Sequence, residues 1–277
     1  MTYIVTGATG SLGSLVVDAL LARGADPADI LATGRNAERL GSLSVPTAVV
    51  DYSDPSTLSA VVKGGDTLLL VSGSEVGQRV AQHSGMIDAA KDAGVARVIY
   101  TSVLDATTSD LLLAPEHKAT EEHLIASGVP FTILRNGWYT ENYAAQVASA
   151  RESGTIEASV GDGRVASATR RDFAEAAAVA LLDDSLTGRT LELSGDYAWS
   201  YDELAAAVTD LVGRDVTYVR LTPDEHRASL LAAGLDEGTA GFVVGLDQNI
   251  REGLLAVTPG DLSRLIGRPT SPLPEGL

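Results

Sequence analysis

The chain alternates two hydrophobic rhythms. Short runs rich in Val, Ile, Leu and Thr recur at Tyr3–Thr6, Ile30–Thr33, Thr47–Val50, Thr67–Val71, Val95–Tyr100 and Phe131–Leu134, with longer stretches of helical spacing between them. Several runs are apolar without alternation, which suits strands covered by helices on both faces. Strands joined by helical crossovers build a parallel sheet. The punctuation agrees. Asp54-Pro55 and Pro115 have the form of helix starts, and Gly24, Gly94 and Gly128 stand where left-handed helix ends belong. Past residue 135 only Asp172–Leu182, an Ala-rich helix, and Thr190–Leu193, a strand, keep the pattern. The expected fold is α/β: a doubly wound parallel sheet formed by residues 1–137 and 164–198. Residues 138–163 and 199–277 form a smaller, discontinuous substrate-binding lobe. A length of 277 residues suits this division.

The first crossover carries the strongest chemical signal. Strand Tyr3–Thr6 runs directly into Gly7-Ala8-Thr9-Gly10-Ser11-Leu12-Gly13 and then into an apolar-periodic helix. Glycines between a first strand and a helix form a dinucleotide fingerprint of the Rossmann type. Gly7 permits the tight turn, Gly10 admits the pyrophosphate and Gly13 lets the helix pack closely. The free N–H groups and positive end of that helix face the phosphates. At the end of the second strand, an NAD site places an acid to bind the ribose hydroxyl. Here the chain reads Ala32-Thr33-Gly34-Arg35-Asn36, so Arg35 is available to fork around a 2′-phosphate, and NADP(H) is the expected cofactor. Asp51 either accepts from the adenine amine or makes an Asx turn into Asp54-Pro55. Ser72, Gly73 and Ser74 end the fourth strand, where small residues let a cofactor cross.

Composition narrows the remaining classes. Hydrophobic residues make up 45% and charged residues 21%, and no apolar run approaches a bilayer span. A net charge of −17 repels phosphate backbones and argues against nucleic acid as partner. Cysteine is absent, which removes thiolate chemistry and favours the cytoplasm. The first residues lack a basic, apolar leader, so export is not expected. A Tyr-x-x-x-Lys pair is absent: Ser59, Ile87 and Ala114 stand four residues before the three lysines. No zinc spacing occurs among His83, His117, His123 and His226, and no Gly-x-Ser-x-Gly elbow is present.

The strings TGATGSLG, VVDY, LLLVSGSEVGQR, YTSVLDA, APEHKATEEHL and FTILRNGWYTENY resemble the NmrA-like atypical short-chain dehydrogenases over nearly the whole chain. Within them they are most similar to the type 2 NAD(P)H:quinone oxidoreductases and their triphenylmethane reductase relatives. The resemblance implies a flavin-free enzyme passing hydride from NADPH to quinone-like acceptors, with the nicotinamide between core and lobe. It also leaves open an NADP(H)-sensing regulator without turnover, or a reductase of a dye or azo compound. His117 stands where many such reductases carry lysine; it either protonates the acceptor or packs near a helix start. Tyr100, Thr101 and Ser102 end the fifth strand on the crevice side. After the sixth strand, Asn136 is a candidate contact for the carboxamide or acceptor, followed by Gly137. Trp138, Tyr139 and Tyr143 either wall a flat aromatic substrate or pack the lobe. Arg170 either reaches the cofactor or caps the helix that follows. The expected assembly is a monomer or homodimer.

Overall fold

The computed structural model describes residues 1–277. In chain order the strands are β1 (Tyr3–Val5), β2 (Ile30–Gly34), β3 (Thr47–Val49), β4 (Thr67–Leu70), β5 (Arg97–Val103) and β6 (Phe131–Asn136), then β7 (Thr155–Ala158), β8 (Arg164–Val165), β9 (Thr190–Leu193), β10 (Trp199–Ser200) and β11 (Thr217–Arg220). The helices are α1 (Ser11–Ala22), α2 (Ala37–Leu40), α3 (Ser56–Ser59), α4 (Arg79–Ala93), α5 (Ala114–Ser127) and α6 (Ala144–Ser153). They continue as α7 (Arg170–Leu182), α8 (Tyr201–Val212), α9 (Pro223–Ala232), α10 (Glu237–Arg251) and α11 (Asp261–Ile266). No helix is long and apolar enough to cross a membrane.

Seven strands form one sheet in the order β3-β2-β1-β4-β5-β6-β9, and every neighbouring pair is parallel. This is a doubly wound Rossmann-type α/β fold. The central strands β4 and β5 are buried along their whole length, because helices cover both faces. On one face α1, α7 and α11 seal a cluster that includes Val16, Leu20, Ile99, Phe173 and Leu262. On the other, α3, α4 and α5 enclose Leu58, Leu68, Met86, Val98 and Leu124. Burying a side chain such as Phe173 stabilises the fold by about 1.5–3 kcal/mol. Arg97 is buried at the start of β5 and donates to Ala180 O (2.7 Å) and Asp183 O (2.9 Å). Its cation caps the negative end of α7 and ties that helix to the sheet.

A few boundaries move. Val95 belongs to the turn after left-handed Gly94 (φ 73°), so β5 starts at Arg97. At the other end β5 and β6 stay paired as far as Val103 and Asn136. The helix after Asp54-Pro55 is only the four residues of α3, with Asp54 accepting from Ser56 N–H (3.2 Å).

A third cluster makes the smaller body from Tyr143, Val147, Ile156, Trp199, Tyr201, Leu204 and Ile250. There β7 pairs with β11 and β8 with β10. Leu111, from the connection between β5 and α5, packs into this cluster. In return, Leu262 and Ile266 of α11 pack on the sheet side, so the tail after residue 199 divides between both bodies. The strand order reverses between β1 and β4, and a crevice opens there at the strands' carboxyl ends.

Candidate active site

That crevice is a groove of about 520 Å³. Gly7, Thr9, Gly10, Ser11, Leu12 and Gly13 form its floor, Arg35 and Tyr52 one wall, and Ser72, Gly73, Ser74 and Glu75 the other. Tyr139 and Arg170 close the far end. The glycines are required by shape. Gly7 adopts φ +62°, and a Cβ on Gly13 would stand 2.4 Å from Gly7 O. Gly10 caps α1 without any side-chain hydrogen bond, so the first-turn N–H groups remain free for an anion. Ala8 does not line the groove; it is buried below it, and its N–H donates to Thr33 O (2.8 Å), fastening the loop to β2. Gly34 presses against Thr9, whose Oγ1 would lie 2.8 Å from an added Cβ.

Arg35 projects from the end of β2 and pairs with Glu75 across the groove, Nη1 to Oε1 at 2.8 Å. Hydrogen bonds from Gln82 and Arg35 hold the Glu75 carboxyl below its ordinary range. Arg39, one turn further, donates to Thr9 O (3.4 Å) and gives that corner a second cation. Sequence reasoning missed Glu75, Arg39 and Tyr52. Asp51 itself does not line the groove: its carboxylate accepts from Ser53 N–H (2.9 Å) in an Asx turn. Its neighbour Tyr52 takes that wall and donates to Val71 O (2.6 Å).

Several expected groove residues stand behind it. Thr101 Oγ1 accepts from Ser72 N–H (2.8 Å) and so fixes the wall from beneath. Tyr100 points into the layer under α4 and α5, where its hydroxyl meets His117 Nδ1 (2.7 Å). Ser102 turns the same way and donates to Glu121 (2.5 Å), which is locked to Arg135 (2.7 Å). His117 is 5% exposed and lies outside the groove. Burial first, then the charge of Arg79 and the neighbouring His83, depresses its pKa to about 3. Buried against Tyr100 and outside the groove lining, His117 fits the packing role of the two that the sequence leaves open. Its partner in the layer, His83, has its pKa lowered to about 3 by burial and accepts from Gly73 N–H (2.9 Å), supporting the groove wall.

Behind the far end, Asn136 Nδ2 donates to Tyr139 OH (3.2 Å), while Asn136 Oδ1 is enclosed without a partner. Gly137 packs under Leu104 and Leu193 and is structural. The Arg170 guanidinium lies 5.1 Å from the Tyr139 ring centroid and donates to Asn142 Oδ1 (2.8 Å). Thr169 and Asp172 make the capping box of α7, so Arg170 is free to face the groove. Trp138 and Tyr143 turn away from the groove and line a second cavity, of about 510 Å³, inside the lobe. Asn142 lines that cavity too. The two linings come together here: Tyr139 and Arg170 line the groove, their neighbours Trp138, Asn142 and Tyr143 line the cavity, and the Arg170–Asn142 hydrogen bond joins the two sets.

The group implied by this groove fits it. The glycine cradle leaves room against bare backbone, and a helix amino terminus faces that room. These features define a dinucleotide-binding protein of the Rossmann class. Comparison with known proteins gives the family. Residues 7–184 match the family described as NAD(P)H-binding. Quinone oxidoreductase 2 of Escherichia coli is 42% identical over 276 residues, covering 99% of this chain and 96% of that protein. The crystal structure of an NADPH-dependent quinone oxidoreductase from E. coli, complexed with NADPH, superposes with a TM-score of 0.92 at 43% identity, covering 99% and 98% of the two chains. Triphenylmethane reductase of Citrobacter sp., complexed with NADP(H), gives 0.91 at 33% identity, covering 100% and 98%. The chain belongs to this NAD(P)H-binding family.

Proposed function

We propose that the protein is an NADPH-dependent oxidoreductase that passes hydride directly, without flavin, to quinone-like aromatic acceptors. The observation that carries this reading is the juxtaposition of a dinucleotide groove and a lobe cavity of similar size, whose lining residues Arg170 and Asn142 are hydrogen-bonded to each other. The relatives' activities support the same chemistry. NADPH supplies the hydride. The chain's own residues bind and orient. Gly7, Gly10 and Gly13 with the amides of α1 hold the pyrophosphate, and Arg35, backed by Arg39, takes the 2′-phosphate. Asn136 stands behind the groove and, through its hydrogen bond to Tyr139 OH, orients the ring that closes the far end. Arg170 and Tyr139 close the seam between cofactor and acceptor. Tyr139 stays protonated, because burial raises its pKa.

Holding the two reactants in register supplies most of what a quinone needs, since its ring is already electrophilic. The division into a cofactor body and an acceptor lobe belongs to the same proposal, with α11 packed on the cofactor body and Val165 in the lobe's cluster, as does a cytoplasmic monomer or homodimer. The test is NADPH consumption by flavin-free protein with a panel of benzoquinones and naphthoquinones, followed by the loss of nicotinamide absorbance. Turnover with NADPH and quinone alone is expected. Tight NADPH binding with no consumption across quinones, triphenylmethane dyes and azo compounds overturns the reading and makes a cofactor-sensing regulator the better one.

A further inference from the structure

The lobe cavity has an apolar body and one polar pole. Its walls include Trp138, Tyr143, Tyr201, Leu230, Val243 and Leu246. At the pole, His226 of α9 and Asp247 of α10 form a buried pair, Nδ1 to Oδ2 at 2.8 Å, with side chains 4% and 6% exposed. Asp247 is itself fixed by the N–H (2.6 Å) and hydroxyl (2.9 Å) of Ser159. A carboxylate with three donors holds its imidazole in one orientation. The other ring nitrogen, His226 Nε2, has no partner in the protein and is not among the enclosed atoms, so it is the edge of the ring that meets the cavity. Two buried titratable groups set into an apolar chamber are costly unless they serve a ligand or a network. Here the bonds all converge on Asp247 Oδ2, and His226 Nε2 and Asp247 Oδ1 are the polar atoms of the pair left without a protein partner.

Resting on the acceptor reading above, we propose that this cavity takes the aromatic acceptor and that His226 Nε2, oriented by Asp247, is the hydrogen-bond partner of the acceptor's oxygen. With Nδ1–H given to Asp247, the ion-paired ring donates from Nε2 to a carbonyl, and the neutral ring accepts at Nε2 from a hydroxyl. The same atom therefore holds a quinone and its hydroquinone. The acceptor takes hydride from NADPH at its near carbonyl oxygen, the displaced electron pair passes through the ring to the far oxygen, and that oxygen takes the Nε2 proton. His226 is left neutral and recovers a proton from water. One hydride and one proton convert quinone to hydroquinone, so atoms and charge balance. The role foreseen for His117 thus moves to a histidine that faces a chamber of the right chemistry.

Two variants test this, each read by quinone binding to the NADP⁺-loaded protein in calorimetry as well as by steady-state kinetics. His226→Gln should weaken 1,4-naphthoquinone binding about 5- to 10-fold and lower kcat/KM about 10- to 100-fold, with NADPH affinity unchanged. Ala145→Trp places a large side chain at an exposed helical position on the cavity's edge, where folding is not at risk. It should raise the quinone KM at least about tenfold and leave NADPH affinity alone. Normal quinone turnover that neither variant alters overturns the inference while the proposed function stands. Naphthoquinone binding that both variants weaken supports the inference even if the unaltered protein never consumes NADPH, in which case only the reaction fails.

Discussion

The groove and the lobe cavity are nearly equal in volume, about 520 and 510 Å³, yet they are made of different material. The groove is built from backbone at the ends of β1, β2 and β4, and only five of its eighteen lining residues are hydrophobic. The cavity is built from side chains of α6, β7, α9 and α10, with eleven hydrophobic residues of twenty. A backbone site tolerates little change where it is narrow, because neighbouring atoms cannot repack. A side-chain site adjusts, so it can be retuned for another acceptor without disturbing the cofactor. The same body can thus serve quinones in one protein and dyes in another.

The sharpest way to break this contrast is at the loop. Gly10→Val should weaken NADPH binding by about 100-fold or more, roughly 2.7 kcal/mol, while far-ultraviolet dichroism stays native. Calorimetry showing retained affinity would mean that the loop does not cradle the pyrophosphate. Next in size is Arg35→Ala. Losing a charge-assisted pair should cost NADPH about 1.5–3 kcal/mol, or 10- to 150-fold in affinity, and spare NADH. Equal losses for both cofactors would show that Arg35 only partners Glu75.

A third experiment concerns the layer beneath the groove. Folded His83 and His117 have pKa values of about 3, against about 6.5 in an unfolded chain. Above pH 6.5 both states carry them neutral. Below it, the unfolded chain binds protons that the folded chain refuses, so stability falls as pH drops towards 3. Between pH 7 and pH 5 each histidine should cost on the order of 2 kcal/mol. His117→Gln should remove one share of that slope in urea titrations and leave quinone kcat nearly unchanged. An unaltered slope contradicts the buried neutral ring. The smallest effect belongs to the cavity wall. Tyr143 is buried and its hydroxyl has no partner, so Tyr143→Phe should leave Tm unchanged or raise stability by up to about 1 kcal/mol. A clear loss would reveal a hydrogen bond absent from this structure.

The same contrast explains what could be read in advance. Gly7, Gly10 and Gly13 were legible because backbone conformation and close approach exclude other residues at a fixed spacing, and Arg35 because it ends β2. The parallel sheet was legible from runs of continuous apolar strands joined by helical crossovers. Tyr52 and Asp51 are neighbours, and choosing between them required knowing how the chain turns after β3. On α5, nothing in the sequence tells a helix face turned towards the sheet from one turned towards the crevice, so the sequence leaves His117 open between acceptor contact and packing. Glu75 was hidden because its partner lies 40 residues away. His226 and Asp247 sit 21 residues apart on two helices whose crossing no local pattern encodes. Sites made of backbone leave a signature in sequence; sites made where helices cross do not.

Direct hydride transfer requires the nicotinamide and the acceptor to meet in contact at the seam flanked by Tyr139, Asn142 and Arg170. The direct measurement is a single-turnover reaction of flavin-free protein with NADPH and a saturating naphthoquinone, repeated with NADPH deuterated at C4 on one face or the other. The account predicts that deuterium on one face alone slows the oxidation of the bound nicotinamide. Identical traces for both labelled forms and for unlabelled NADPH, or a requirement for added flavin, would contradict it.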